Sequence, residues 1–168
     1  MNVQLVIDNI PQAASDGKTY QRIDPVSGKV VTTGAACSVE DALRVAASSQ
    51  QAFKTWSKVG PTERRRLLLA AADALEGKME LLCSVMAEEI GASQLWSQFN
   101  VGASANLLRE AAALTTQIKG ETLATDKPGT LSITLRQPVG TVLSIAPWNG
   151  PVILGTRAIA YPLACGNT

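Results

Sequence analysis

The chain has 168 residues, 46% hydrophobic and 17% charged, with a formal charge of +1: enough apolar material for a packed core, and no charge imbalance that would point to nucleic acid or an anionic membrane. It contains no histidine, which excludes a Ser-His-Asp triad or a histidine metal cluster within this chain. Its three cysteines, Cys37, Cys83 and Cys165, lack both the even number and the CxxC spacing of a disulfide framework or zinc site, and fit a reducing cytoplasm.

Residues 1–37 are turn-rich and β-like. The opening MNVQLVIDNIPQ has no basic segment leading into a long apolar one, so no signal peptide is expected. RIDPVSGKVVTTG (22–34) carries an Asp-Pro turn, Ser27-Gly28 and a β-branched run from Val30 to Thr33, which predicts a hairpin or meander. Four helices follow. Ser38 with Asp41 three residues later is a capping box, and Ala42, Val45, Ala46, Ala52, Phe53 and Trp56 form one apolar stripe at helical spacing. Gly60-Pro61 ends that helix. The second opens near Thr62, is expected to bury Leu67, Leu68, Ala71, Ala72 and Leu75, and stops at Gly77. Its run Glu63-Arg64-Arg65-Arg66 reads as a solvated helix start. The third runs to Gly91 with Met79, Leu82, Val85, Met86 and Ile90 inward and Glu88-Glu89 on its surface. The fourth covers about 93–119, with Trp96, Phe99, Ala103, Leu107, Ala111, Leu114 and Ile118 as its expected buried stripe.

After the polar ATDKPGT the period changes to two: Leu131, Ile133 and Leu135 alternate with Ser132, Thr134 and Arg136, as in a half-buried strand. Pro138-Val139-Gly140 turns the chain into TVLSI (141–145), which has the apolar character of a parallel strand covered on both faces. No apolar run reaches roughly 18 residues, so no membrane span is expected. Gly150-Pro151 opens a helix carrying Ile153, Leu154, Ala158 and Ile159 until Pro162 disturbs it, and Gly166-Asn167 stops it. A βαβ unit requires a second strand, and the chain ends where that strand would begin, so the chain is expected to be a fragment.

Asn149 lies at the junction of that strand and helix, where open α/β sheets bind ligands. A side-chain amide there can hold an oxyanion developing on a carbonyl, and it can equally cap the helix. Ile145, Ala146, Pro147 and Trp148 form an apolar shelf on which a flat cofactor could lie; Trp148 is otherwise a core aromatic. Arg157, two turns beyond Asn149, must reach water or a carboxylate, or could instead meet a polar group on a substrate. The three cysteines read as small core or loop residues, Cys165 with no visible activating base.

RQPVGTVLSIAPWNGPVILGTRAIAYPLACGNT (136–168) resembles the start of the cofactor-binding domain in the NAD(P)-dependent aldehyde dehydrogenase superfamily. The match lies in Pro-Val-Gly, the apolar strand, Pro-Trp-Asn and PLACGN in that order. RIDPVSGKVV, Trp56 with the PTERRRLLL that follows, and EEIGAS resemble that family's N-terminal region. LWSQFNVGASANLLREAAALTTQIKGE and RQPVG are most similar to its aromatic-aldehyde branch, the salicylaldehyde and vanillin dehydrogenases.

The resemblance implies an incomplete α/β, aldehyde dehydrogenase-like fold: an N-terminal β-hairpin and helical segment, then the first strand-turn-helix of a Rossmann-like cofactor domain. Residues 1–37 would belong to the oligomerisation region and 38–120 to the helical part of the cofactor-binding domain. Residues 121–138 would supply a loop and oligomerisation strand, and 139–168 the truncated start of the Rossmann-like NAD(P)-binding domain. Asn149 matches the family's oxyanion-stabilising asparagine, and Ile145, Ala146, Pro147 and Trp148 match the segment lining the NAD site, with NADP as an alternative cofactor. Trp96, Phe99, Gly150, Ile153, Leu154 and Arg157 are implied to line the aromatic-aldehyde pocket, and no metal is implied. The family's nucleophilic cysteine, general-base glutamate and glycine-rich turn would lie beyond residue 168, so the fragment alone is expected to be inactive. The full-length protein is expected to be a cytoplasmic homo-oligomer with no nucleic-acid or membrane partner. The contrasting expectation is a non-catalytic helical binding or assembly module.

Overall fold

β-Branched and turn-forming residues dominate the first 35 positions, and the structure, a computed structural model describing residues 1–168, folds them into five short strands. β4 (Thr19–Ile23) and β5 (Val30–Ala35) make the predicted antiparallel hairpin, and β1 (Asn2–Val3) joins β5 in parallel. Asp24 builds the hairpin turn: its carboxylate accepts from Val26 N at 2.8 Å and from Ser27 Oγ at 2.6 Å. A separate hairpin, β2 (Leu5–Ile7) with β3 (Ile10–Gln12), turns through Asp8 and Asn9 at positive φ, a conformation these two residue types tolerate.

Helix α1 (Val39–Trp56) opens on the predicted capping box. Ser38 Oγ accepts from Asp41 N at 3.1 Å, and Asp41 Oδ2 accepts from Ser38 N at 3.0 Å. The same carboxylate accepts from Ser15 N at 3.0 Å, so one fully buried side chain caps the helix and fastens the β-segment to it. The backbone N–H groups of Ser15 and Ser38 hold the Asp41 carboxyl at about 2, below its ordinary 3.8. A carboxyl depressed in the folded state adds stability above its unfolded value and loses it as pH falls through the folded one. Between pH 3.8 and about 2 the chain is therefore expected to weaken, and Asp41→Asn should flatten that acid limb in urea midpoints measured against pH. An acid limb identical in the two proteins would remove Asp41 as its source.

The expected apolar stripe of α1 is not covered: Ala42, Val45, Ala46 and Ala52 are exposed, and only Phe53 and Trp56 are half-buried. This helix is held by polar contacts, among them Trp56 Nε1 donating to Leu163 O at 3.2 Å and Ser49 Oγ donating to Thr168 Oγ1 at 3.1 Å. The stripe has the right period, but no other apolar layer of this chain packs against it.

The core lies where α2 (Pro61–Glu76), α4 (Gln94–Leu114) and α5 (Pro151–Ala164) meet, and joins Leu68, Ala72, Ala105, Leu108, Ala111, Ala112, Ala160 and Ala164. On α2, Leu68 and Ala72 are buried as expected, whereas Leu67 and Ala71 are exposed. Arg64 corrects its reading as a solvated residue. It is buried one turn before Leu68, its Nε donates to Ala164 O at 3.0 Å, and a terminal nitrogen donates to Val59 O. α3 (Met79–Ile90) packs on α4 with Met86 buried, and ends on Gly91 at a φ of 64°.

The buried face of α4 is rotated from the expected one. Ser97, Asn100, Val101, Ser104, Ala105, Leu108, Ala111 and Ala112 face inward, while Trp96, Phe99 and Leu114 are exposed. Small side chains let α2 and α5 approach closely, and the buried polar ones are satisfied within the helix: Ser97 Oγ donates to Ser93 O at 3.0 Å and Ser104 Oγ to Asn100 O at 2.6 Å. α4 ends at Leu114, short of the expected 119, where the Thr115 hydroxyl turns back to Ala112 O at 2.8 Å.

The expected 131–135 strand shrinks to β7 (Ser132–Ile133), paired with β6 (Thr122–Leu123), and Leu131, Ile133 and Leu135 are all exposed. Residues 141–145 form no regular strand. Their one ladder contact is with Thr168, whose O accepts from Val142 N at 2.6 Å and whose N donates to Gly140 O at 3.2 Å, the pattern of a parallel bridge. Pro162 does not end α5. Its missing N–H leaves Ala158 O without a helical donor, and Ser144 Oγ donates to that carbonyl at 2.8 Å. No helix is long and apolar enough to cross a membrane.

Candidate functional site

Asn149 stands between the irregular 141–147 segment, where a strand was expected, and the first turn of α5. It is not the helix cap. Gly150 occupies that place with no side-chain hydrogen bond, and Pro151, which has no N–H to satisfy, begins the helix. Asn149 is exposed, and its hydrogen bond runs through the backbone: its carbonyl accepts from Trp96 Nε1 at 3.1 Å. The side-chain amide makes no hydrogen bond within the chain, so of the two readings of this residue the structure removes capping.

Several predicted pocket residues come together around it. Trp96 and Phe99 stack with ring centroids 5.4 Å apart at 20°. Gly150 lies against Ile153, Leu154 and Asn100, where a Cβ would come within 3.1 Å of Ile153 Cγ2. Arg157, one turn beyond Ile153, is exposed to water and forms none of the chain's ion pairs, so of its expected structural partners it meets water rather than a carboxylate.

The apolar shelf is also present. Ile145 is 86% exposed and Trp148 69% exposed, a degree of apolar surface open to a flat organic group. Ala146, Pro147 and Trp148 also line a cavity of about 300 Å³ against Leu82, Val85 and Met86 of α3. The largest cavity, about 810 Å³, lies past the other end of α5 among Leu114, Ile118, Leu135, Arg136 and Asn167, and no predicted site residue lines it.

All three cysteines are free, and Cys165 follows the far end of the 14-residue α5, about 20 Å of helix from Asn149. No cluster of cysteine and carboxylate groups could hold a metal.

Two asparagines escape the sequence pattern. Asn100 is fully buried, donates through Nδ2 to Trp96 O at 3.0 Å, and turns Oδ1 toward Ile153 N at 3.4 Å. Asn167 Oδ1 accepts from Val139 N at 2.7 Å and Gly140 N at 3.1 Å, fixing the entry to the 141–147 segment. The available signal was a polar residue placed inside an otherwise small or apolar helix face, or directly after a stop glycine.

A model of the aldehyde dehydrogenase family matches residues 12–168. Over all 168 residues the chain is 58% identical to a salicylaldehyde dehydrogenase of Pseudomonas putida, and over 167 residues 50% identical to a vanillin dehydrogenase of Pseudomonas sp. (strain HR199 / DSM 7063). It covers 35% and 34% of those proteins, and all or nearly all of itself (100% and 99%). Among solved structures it superposes on a salicylaldehyde dehydrogenase of Pseudomonas putida G7 complexed with salicylaldehyde, with a TM-score of 0.98 and 57% identity, covering 100% of this chain and 35% of that one. PnpE in complex with nicotinamide adenine dinucleotide gives 0.96 and 32%, covering 100% and 34%. The chain spans about a third of the length of each of these relatives.

Proposed function

Because the chain belongs to the aldehyde dehydrogenase family, we propose that it forms the N-terminal third of a cytoplasmic enzyme oxidising an aromatic aldehyde of the salicylaldehyde kind to its carboxylic acid. The observation that carries this reading is an exposed asparagine whose carbonyl is tied down and whose side-chain amide is free, beside two stacked aromatic rings. Attack by a cysteine from the rest of the protein would place negative charge on the aldehyde oxygen. The Asn149 amide donates to that oxygen without a proton leaving it, which lowers the barrier where charge develops.

Ile145, Ala146, Pro147 and Trp148 would hold the nicotinamide dinucleotide, NAD or NADP, and their exposed apolar surface suits its flat rings. When bound, that cofactor supplies the hydride acceptor. Trp96 and Phe99 offer faces for the substrate ring, with Gly150, Ile153 and Leu154 completing the wall and Arg157 meeting a polar ring substituent. The exposed apolar side chains of Leu131, Ile133 and Leu135 support a role for that segment in homo-oligomer assembly.

The direct test is a chimera joining residues 1–168 to the remaining length of the Pseudomonas putida salicylaldehyde dehydrogenase. It should form NADH from salicylaldehyde, whereas the 168 residues alone should form none. A folded chimera without activity would overturn the proposal. In the active chimera, Arg157→Ala is expected to raise KM for salicylaldehyde roughly 10-fold more than for benzaldehyde, the size of a lost charged hydrogen bond. Equal losses for both aldehydes would remove Arg157 from ring-substituent recognition.

A further inference from the structure

We propose that α4 aims the Asn149 amide through a two-point clamp, in which Trp96 holds its carbonyl and Asn100 holds the helix that follows. This rests on Asn149 being the oxyanion donor. The first turn of α5 lacks a cap of its own: Gly150 has no side chain to offer, and Pro151 no N–H to satisfy. Leu154 N already donates to Gly150 O at 2.9 Å, which leaves the N–H of Ile153 among the unpaired donors of that turn.

Asn100, on a different helix, meets that need. Its Oδ1 faces Ile153 N at 3.4 Å, a long approach, while its Nδ2 is anchored on Trp96 O at 3.0 Å. The absence of a side chain at residue 150 makes room for it, since a Cβ there would stand 3.3 Å from Asn100 Oδ1. One turn earlier on α4, Trp96 Nε1 donates to Asn149 O at 3.1 Å. That bond fixes the plane of the 149–150 peptide, and Asn100 fixes where the helix after it starts. The direction in which the Asn149 side chain leaves the backbone follows from both. Trp96 and Asn100 are therefore positioning residues, and Trp96 does this in addition to facing the substrate ring.

Two mild variants in the chimera separate the clamp from simple folding. Trp96→Phe keeps a six-membered aromatic face to stack on Phe99 and removes the indole N–H together with the five-membered half of the ring. Asn100→Ser keeps a local bond to Trp96 O, as Ser97 and Ser104 make on the same helix, but is too short to reach Ile153 N. Each is expected to lower kcat per folded site roughly 10-fold, the scale of a small misplacement of a catalytic group. KM for salicylaldehyde should change at most about 2-fold in Asn100→Ser, whose side chain does not face the ring.

In an Asn149→Ala background neither variant should lower kcat further, because there is no amide left to aim. Unchanged kcat in both single variants, or the same 10-fold losses in the Asn149→Ala background, overturns the clamp while leaving the oxyanion role of Asn149 intact. An Asn149→Ala chimera with undiminished kcat overturns that role, and the clamp with it.

Discussion

Asn149→Ala in the chimera is expected to lower kcat for salicylaldehyde by about 100- to 1,000-fold, equivalent to roughly 3–4 kcal/mol of lost transition-state stabilisation. The effect should fall on kcat rather than KM, because the amide meets a full charge only as the carbonyl oxygen becomes an oxyanion. Asn149→Asp should be at least as damaging, since a carboxylate repels that charge where the amide attracts it. Stability should stay within about 0.5 kcal/mol of the parent, because the side-chain amide makes no bond inside the chain and the Trp96 contact runs through the backbone. Steady-state kinetics beside a urea unfolding curve distinguishes this from a damaged fold. A kcat loss under about 10-fold would take Asn149 out of the oxyanion role.

Arg64→Ala carries the largest expected stability loss, about 3 kcal/mol, with one buried and one half-buried carbonyl losing their donor at once. The guanidinium joins the end of α5, through Ala164 O, to the loop before α2, through Val59 O. Its charge also lies at the negative end of the α5 dipole. Arg64→Lys should recover only part of the loss, because an ammonium keeps the charge but not the flat fork that reaches both carbonyls. Urea denaturation of the 168-residue chain followed by circular dichroism would measure this, and a loss below about 1 kcal/mol would mean that water replaces the guanidinium without penalty.

The β4–β5 hairpin, the Ser38–Asp41 capping box, the ends of α2 and α3 and the start of the helix after Asn149 were all legible in the sequence, because each is set by neighbours in the chain. The face that α4 buries was not. Its inward residues include Ser97, Asn100 and Ser104, which hydropathy counts as surface; the two serines bond back along their own helix, and Asn100 does so through its Nδ2 while its Oδ1 faces α5. Arg64 hid inside a run of three arginines. Its spacing from Leu68 and Ala72, four and eight residues on, was the sign that it shares their buried face. The α1 stripe and the 141–145 run failed for a different reason: the apolar pattern is there, but its partner surface is not within these residues. Around Asn149, the absence of a capping role depended on Gly150, and its backbone contact comes from Trp96, on a helix some fifty positions earlier.

The core that joins Leu68 to Ala164 bears on how the chain matures during synthesis. Translation delivers α2 and α4 well before α5, yet Ala160 and Ala164 are fully buried members of the same cluster. Until α5 has left the ribosome, the groove that α2 and α4 share lacks the helix whose Ala160 and Ala164 fill it. Until then, and with the α1 stripe still uncovered afterwards, the nascent chain displays apolar helix faces of the sort that chaperones engage.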